Sequence, residues 1–200
     1  MTGYGSQSLA DFLDAVATPQ PAPGGGAVAA MTTALSAGLV AMAARYSRSQ
    51  LPDADQIADQ ADVLRREALE LGDADSVAYA AVLDAYKLPR RPDPDGRKDA
   101  IRDALRRACD VPMTIAGTAA EVAQLAVMVR ENGNPGLQGD AATAAHLATA
   151  AASSAAELVR INARLGDLGE EPARAAGRHV QRAETADARL VPRSDTSGSY

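Results

Sequence analysis

The stretch DADQIADQADVLRREALELGDADSVAYAAVLDAYK, residues 53–87, spaces Ile57, Ala61, Leu64, Ala68, Leu71, Asp75, Ala78, Val82 and Ala85 alternately by four and three. That period lays one apolar stripe along a single long helix, which closes at Leu88-Pro89. At 1.5 Å per residue such a helix is about 52 Å long. A compact globule of this chain length has a diameter of roughly 40–45 Å. The helix overshoots it, so an elongated bundle is expected. One member of the stripe is out of character. Asp75 stands where its equivalents are Ala, Leu and Val, and a buried carboxylate without a partner costs several kcal/mol, about 3–5 by mutational data. It must therefore pair with a cation from a neighbouring helix, take up a proton, or face a wet cavity. Asp73 lies about 200° round the helix from it, so the two face one point only if the site sits on a flank of the helix.

Working outward, a second seam reads Ile101, Leu105, Ala108, Pro112, Ile115, Ala119, Val122, Ala126 and Val129. Its phase survives Pro112, which predicts a kinked continuous helix or two nearly coaxial ones. The loop ENGNPGLQGD (131–140) follows, with Asp140 predicted as the N-cap of an alanine-rich helix from about 141 to 164. A last amphipathic helix is expected over 173–190. At the other end, Ser8–Ala17 reads as a short helix with Leu9, Phe12, Leu13 and Val16 on one face. The sequence has no alternating β-branched runs, so no strand is predicted. The expected fold is all-α: an elongated up-and-down bundle with long, partly kinked helices, dimerising through helices. It is read as one domain over 1–190, with VPRSDTSGSY (191–200) as a disordered tail.

The segment TPQPAPGGGAVAAMTTALSAGLVAMAARY (18–46) sets Gly24, Gly25 and Gly26 at the start of a small-residue helix, expected from about Gly26 to Arg48. Glycine there serves a close approach, either of another helix or of a ligand. The uncharged run Ala27–Ala44 has the length of a membrane span, but its apolar content is mostly alanine, which favours burial inside protein. Aromatic residues are 3% of the chain, so the core must fill by close helix approach.

Twenty basic against 26 acidic residues give a net charge of −6, which argues against a general nucleic-acid binder. The N-terminus has no basic region followed by an apolar run, so the expected location is cytoplasmic, with no membrane partner. The single cysteine, Cys109, cannot form an internal disulfide and reads as a small buried hydrophobe. His146 and His179 have no Cys or carboxylate at metal-ligand spacing, so no metal site is expected. No nucleophile elbow or P-loop is present. Lys87 and Arg90 close the long helix, where cations favour the dipole and could also anchor an anionic tail.

Four collinear segments, taken together, are more specific than any one of these features. LADFLDAVATPQPAPGGGAVAA near the N-terminus, DADSVAYAAVLDAYKLPR at 73–90, GNPGLQGDAATAA at 133–145 and VRIN at 159–162 resemble the cyclodeaminase/cyclohydrolase family of folate enzymes. That family is related to the C-terminal half of formiminotransferase-cyclodeaminase. The resemblance implies an all-α homodimer that acts on tetrahydrofolate derivatives with no further cofactor. By similarity it makes Asp73 the catalytic carboxylate, in place of Asp75, and adds Asp140 from the loop. It also implies substrate contacts at Gly24, Gly25, Gly26, Lys87, Arg90, Asn134, Arg160 and Asn162. Gly72, Gly139 and Leu158 depart from the family pattern and leave two reactions open. One is hydrolysis of 5,10-methenyltetrahydrofolate to 10-formyltetrahydrofolate, with a carboxylate as general base. The other is cyclodeamination of 5-formiminotetrahydrofolate with loss of ammonia. No formiminotransferase half accompanies these residues, which puts the hydrolase first. A non-catalytic helical dimer that binds a partner is the remaining alternative, since seams, alanines and glycines also serve packing alone.

Overall fold

The computed structural model describes residues 3–190, and among them the regular structure is helical, with no strand. Six α-helices follow in order: α1 (Leu9–Val16), α2 (Gly25–Arg45), α3 (Ala54–Lys87), α4 (Pro94–Asn132), α5 (Gln138–Leu165) and α6 (Glu171–Asp187). Short 3-10 turns cover Tyr4–Ser6, Pro135–Leu137 and Ala188–Leu190. The predicted tail 191–200 lies outside the described residues.

The helices alternate in direction. Arg45 pairs with Asp62 and Gly26 faces Asp75, so α3 runs antiparallel to α2. Gly25 approaches Leu158, while Ala44 and Ala141 share a core cluster, so α5 is antiparallel to α2 as well. In α4 and α6, Gly117 packs on His179 and Arg182 donates to Gln124, which makes those two parallel. The result is an up-and-down bundle in which α3 and α4 reach about 51 and 58 Å.

The predicted seams are the core. Ile57, Ala61, Leu64, Ala68, Val82 and Ala85 of α3 are buried, as are Leu105, Ala108, Pro112, Ile115, Ala119, Val122, Ala126 and Val129 of α4. Alanine supplies most of the packing of α2 and α5, whose axes can approach closely because little side chain stands between them. Cys109 is buried, and its thiol is pushed up to about 11 by desolvation.

Several local expectations are corrected. On α1 only Phe12 is buried, edge-on to the Tyr4 ring at a centroid distance of 5.4 Å, and Leu9, Leu13 and Val16 are exposed. A helix of two turns on the outside of the bundle offers only one side chain to it. Asp140 is not an N-cap. The Pro135–Leu137 turn runs straight into α5, which begins at Gln138 and leaves Asp140 in its first turn. That turn is capped instead by Asn134, whose Oδ1 accepts the Gly136 N–H at 2.9 Å. Helix α4 continues unbroken through Pro112. Proline removes the N–H that would bond the carbonyl four residues back, at Ala108. Asn162 of α5 replaces it, donating from Nδ2 to the Ala108 oxygen at 2.8 Å.

Candidate active site

Helix α2 begins without a side-chain cap, because its N-cap is Gly24. The first four N–H groups of a helix need partners and carry the positive end of its dipole. Here the partner comes from across the bundle. Asp75 of α3 brings its carboxylate to the start of α2, where the Ala27 backbone N–H binds it. A Cβ on Gly26 would overlap both carboxylate oxygens and Cγ. Gly26 therefore serves a close approach, and what approaches is this acid. Burial pushes the Asp75 carboxyl above the ordinary aspartate range, and the Ala27 N–H partly offsets the rise by favouring the ionised form. No arginine pairs with it among the described residues.

The carboxylate opens on a cavity of about 430 Å³. Pro21, Ala22 and Gly24–Gly26 form one wall, while Ser76, Ala78, Tyr79, Val82 and Tyr86 of α3 form another. Leu105 and Ala108 of α4 close the floor, with Leu158, Ile161 and Asn162 of α5 opposite. The volume suits a small organic ligand, and the lining is mostly apolar and aromatic with a few polar groups, as ligand sites tend to be. A larger groove of about 720 Å³ lies between α3, α4 and α6, but its polar lining is mostly exposed Arg and Gln side chains beside the half-buried Glu121, with arginines such as Arg178 and Arg189 already ion-paired. The smaller cavity has the desolvated acid, and so the means for chemistry.

The structure brings together some of the expected site residues and separates others. Gly24, Gly25, Gly26 and Asn162 line the cavity. Asp73 does not. Its Oδ1 accepts the Tyr4 N–H at 2.8 Å, and the Tyr4 hydroxyl lies 2.7 Å from the Ser76 Oγ, so Asp73 ties the N-terminal segment to α3. Lys87 pairs with Asp84 on the exposed end of α3, and Arg90 lies exposed in the following turn. Arg160 forms an exposed pair with Glu157 and faces away from Asp75. Asn134 sits at the other end of α2, donating its N–H to Ser47 Oγ at 2.9 Å and its Nδ2 to the Tyr46 carbonyl at 3.2 Å. Asp140 is on that far end too, about 30 Å from Asp75 by helix rise. Within one chain, Asp73 and Asp140 share no cleft.

Sequence reasoning assigned no role to Tyr79 and Tyr86, which lie off the apolar stripe, although both fall within the DADSVAYAAVLDAYKLPR segment that carries the resemblance. Asp75 did carry one, as the acid in an apolar seam.

Comparison with known proteins places the chain. A family model described as formiminotransferase-cyclodeaminase matches residues 8–176. The methenyltetrahydrofolate cyclohydrolase of Methylorubrum extorquens is 34% identical over 168 residues, covering 80% of this chain and 81% of that protein. The formimidoyltransferase-cyclodeaminase of Mus musculus is 35% identical over 123 residues, and the match spans only 23% of its length. Among solved structures, the formiminotetrahydrofolate cyclodeaminase of Thermotoga maritima superposes with a TM-score of 0.81 at 27% identity, covering 93% of this chain and 94% of that one. With its helical bundle and its desolvated acid against a glycine-rich helix start, this chain belongs to the formiminotransferase-cyclodeaminase family.

Proposed function

We propose that this protein hydrolyses 5,10-methenyltetrahydrofolate to 10-formyltetrahydrofolate, with Asp75 as general base. The observation that carries the reading is the Asp75 carboxylate, held at the start of α2 inside a mostly apolar cavity. The methenyl bridge is a cationic amidinium carbon. A carboxylate beside it stabilises the cation and can take a proton from the attacking water. Desolvation makes Asp75 a stronger base than a surface aspartate, and the Ala27 N–H keeps the ionised form accessible. Tyr79, Tyr86, Leu158 and Ile161 offer flat and apolar surface for a pterin and its aryl extension. Lys87 and Arg90, which follow Tyr86 in the chain, are the cations assigned to the glutamate carboxylates. Asp73 takes a positioning role through Tyr4, whose hydroxyl meets Ser76 on the cavity wall. The folate is the only ligand the scheme needs.

The extent of the likeness to the Methylorubrum extorquens hydrolase supports this order. The cyclodeaminase reaction is the second reading, supported by the Thermotoga maritima structure that superposes along the whole bundle. There the same carboxylate would move a proton as N10 closes the ring and ammonia leaves. The protein is assigned to the cytoplasm as a homodimer without nucleic-acid or membrane partners. Helices α2 and α4 are apolar enough by length and composition to cross a membrane, yet 61% of each apolar window is buried in the bundle.

Incubation of the purified chain with each folate separates the readings. Loss of the methenyl absorbance from 5,10-methenyltetrahydrofolate supports the hydrolase. Its appearance from 5-formiminotetrahydrofolate, with stoichiometric ammonia, supports the cyclodeaminase. Turnover of neither overturns both and leaves a binding protein.

A further inference from the structure

A hydroxyl on a helix usually turns back on its own backbone, and Thr32, Thr33, Ser36, Thr143 and Ser154 do so. Each donates to the carbonyl four residues earlier at 2.8–2.9 Å. Ser76 of α3 is different. The Gly72 carbonyl lies 3.5 Å from its Oγ, while the Tyr4 hydroxyl lies at 2.7 Å. A sound O–H···O bond spans about 2.5–3.0 Å, so the partner that holds Ser76 is Tyr4. Ser76 follows Asp75 in the chain, and both residues line the cavity.

Tyr4 is fixed on several sides for this contact. Its N–H donates to Asp73 Oδ1 at 2.8 Å, and its ring meets Phe12 edge-on. The Ser6 and Gln7 N–H groups close the 3-10 turn on the Gly3 and Tyr4 carbonyls. The turn also needs room. A Cβ on Gly3 would overlap the Asp73 carboxylate, and one on Gly72 would stand 3.6 Å from the Tyr4 ring and 3.7 Å from the Ala30 Cβ. Alanine fits at position 72, whereas any longer side chain meets the ring. Gly72 is one of the three departures from the family pattern, and Tyr4 precedes the stretch 8–176 that the family model matches. A turn from outside the matched stretch therefore reaches the cavity wall beside a residue that leaves space for it.

The two hydroxyls carry two protons and share one hydrogen bond. A phenol is a stronger donor than an aliphatic hydroxyl, so Tyr4 donates and Ser76 accepts. The Ser76 proton is then left without a short acceptor among the described residues. Accepting from Tyr4 makes Ser76 a better donor in its turn, because hydrogen bonds in a chain polarise one another. We infer that Ser76 donates a hydrogen bond to the ligand of the cavity, at a carbonyl oxygen or unprotonated ring nitrogen of its heterocycle, and that Tyr4 is the positioning residue that aims it. This deepens the proposed folate chemistry and rests on it for the identity of the ligand. With the general base one residue away, the bond sets how the heterocycle lies against Asp75.

The test uses steady-state kinetics with 5,10-methenyltetrahydrofolate and 5-formiminotetrahydrofolate, and the Kd of 5-formyltetrahydrofolate as a stable probe. Ser76→Ala is expected to raise KM and Kd about two- to tenfold, the range for one neutral hydrogen bond, with the loss in KM rather than kcat. Ser76→Thr keeps a hydroxyl and should regain most of that loss. Tyr4→Phe leaves the ring on Phe12 and removes only its hydroxyl. Ser76 should then swing to the Gly72 carbonyl, as the other helix hydroxyls do. Tyr4→Phe should therefore raise KM about as much as Ser76→Ala does, and add nothing in the double variant. Losses that add in the double variant, or that follow the melting temperature without rescue by threonine, make the contact one of packing and overturn the proposal. An active wild type whose KM and Kd are unmoved by Ser76→Ala overturns it as well, and leaves the folate reaction standing. A wild type that neither turns over nor binds these folates overturns the proposed function, and the ligand assigned to Ser76 with it.

Discussion

At the residue scale, Asp75 does two jobs with one carboxylate. It caps the start of α2 through the Ala27 N–H, and it presents a desolvated base to the cavity. The jobs separate on substitution. Asp75→Asn keeps an oxygen for the Ala27 N–H and removes the basic form, so kcat should fall by about 10²–10⁴, the usual contribution of a positioned acid–base group. Stability should move little or rise. A carboxyl whose folded pKa is raised contributes stability only below its unfolded value near 3.8, and loses that contribution as pH climbs through the folded pKa. At neutral pH the wild type holds an ionised acid against its preference, which the amide does not. Thermal melts beside initial rates check both halves. A variant that melts early in proportion to its lost rate would make Asp75 a cap alone. The acid limb of the wild-type kcat profile should lie above the ordinary aspartate range and vanish in the variant.

At the element scale, α4 crosses Pro112 without a break because α5 supplies what proline removes. Asn162 fills the vacant Ala108 carbonyl and at the same time lines the cavity, so the seam between the two helices and the site wall share one side chain. Asn162→Ala should cost about 1–3 kcal/mol, the penalty for a buried acceptor left bare. If the proline is the reason, the cost is conditional. In a Pro112→Ala background the backbone regains an N–H at position 112 that can bond the Ala108 oxygen, and Asn162→Ala should then cost about 1 kcal/mol less. Denaturant midpoints for the four proteins of this cycle give the coupling. Additive losses would assign Asn162 to the cavity alone.

At the scale of the whole molecule, α6 closes the bundle against α4 and α5 through a histidine. His179 packs its imidazole against α4 at Gly117, with Nδ1 buried and without a hydrogen-bond partner among the described residues. Burial lowers its pKa below 6.5, and Arg182 and Arg178 on α6 add to the lowering, while Glu121 on α4 opposes it. A base with a depressed folded pKa binds protons more readily when unfolded, so stability should fall as pH drops below about 6.5 towards the folded value. His179→Gln should flatten that part of the curve. Urea midpoints at pH 7.5 and 5.5 for both proteins check it, and equal slopes would remove His179 as the source.

The helical class, the long seams of α3 and α4 and the place of every major loop were legible along the chain, because hydrophobic period and Gly/Pro punctuation are local properties. The seam also marked Asp75, since an acid breaks an apolar stripe wherever the stripe ends up. Resemblance to the folate enzymes identified the family, but it named Asp73, whose neighbour two positions on has the same chemistry. Which acid meets the cavity was settled by packing in three dimensions. That choice depends on rotation about the helix and on a glycine in a different helix whose missing Cβ leaves room for one carboxylate. Packing likewise moved Asp140 off its cap and put Asn162 on the carbonyl freed by a proline 50 residues away. Such contacts join segments far apart in the chain, and no local pattern of side chains encodes their distance.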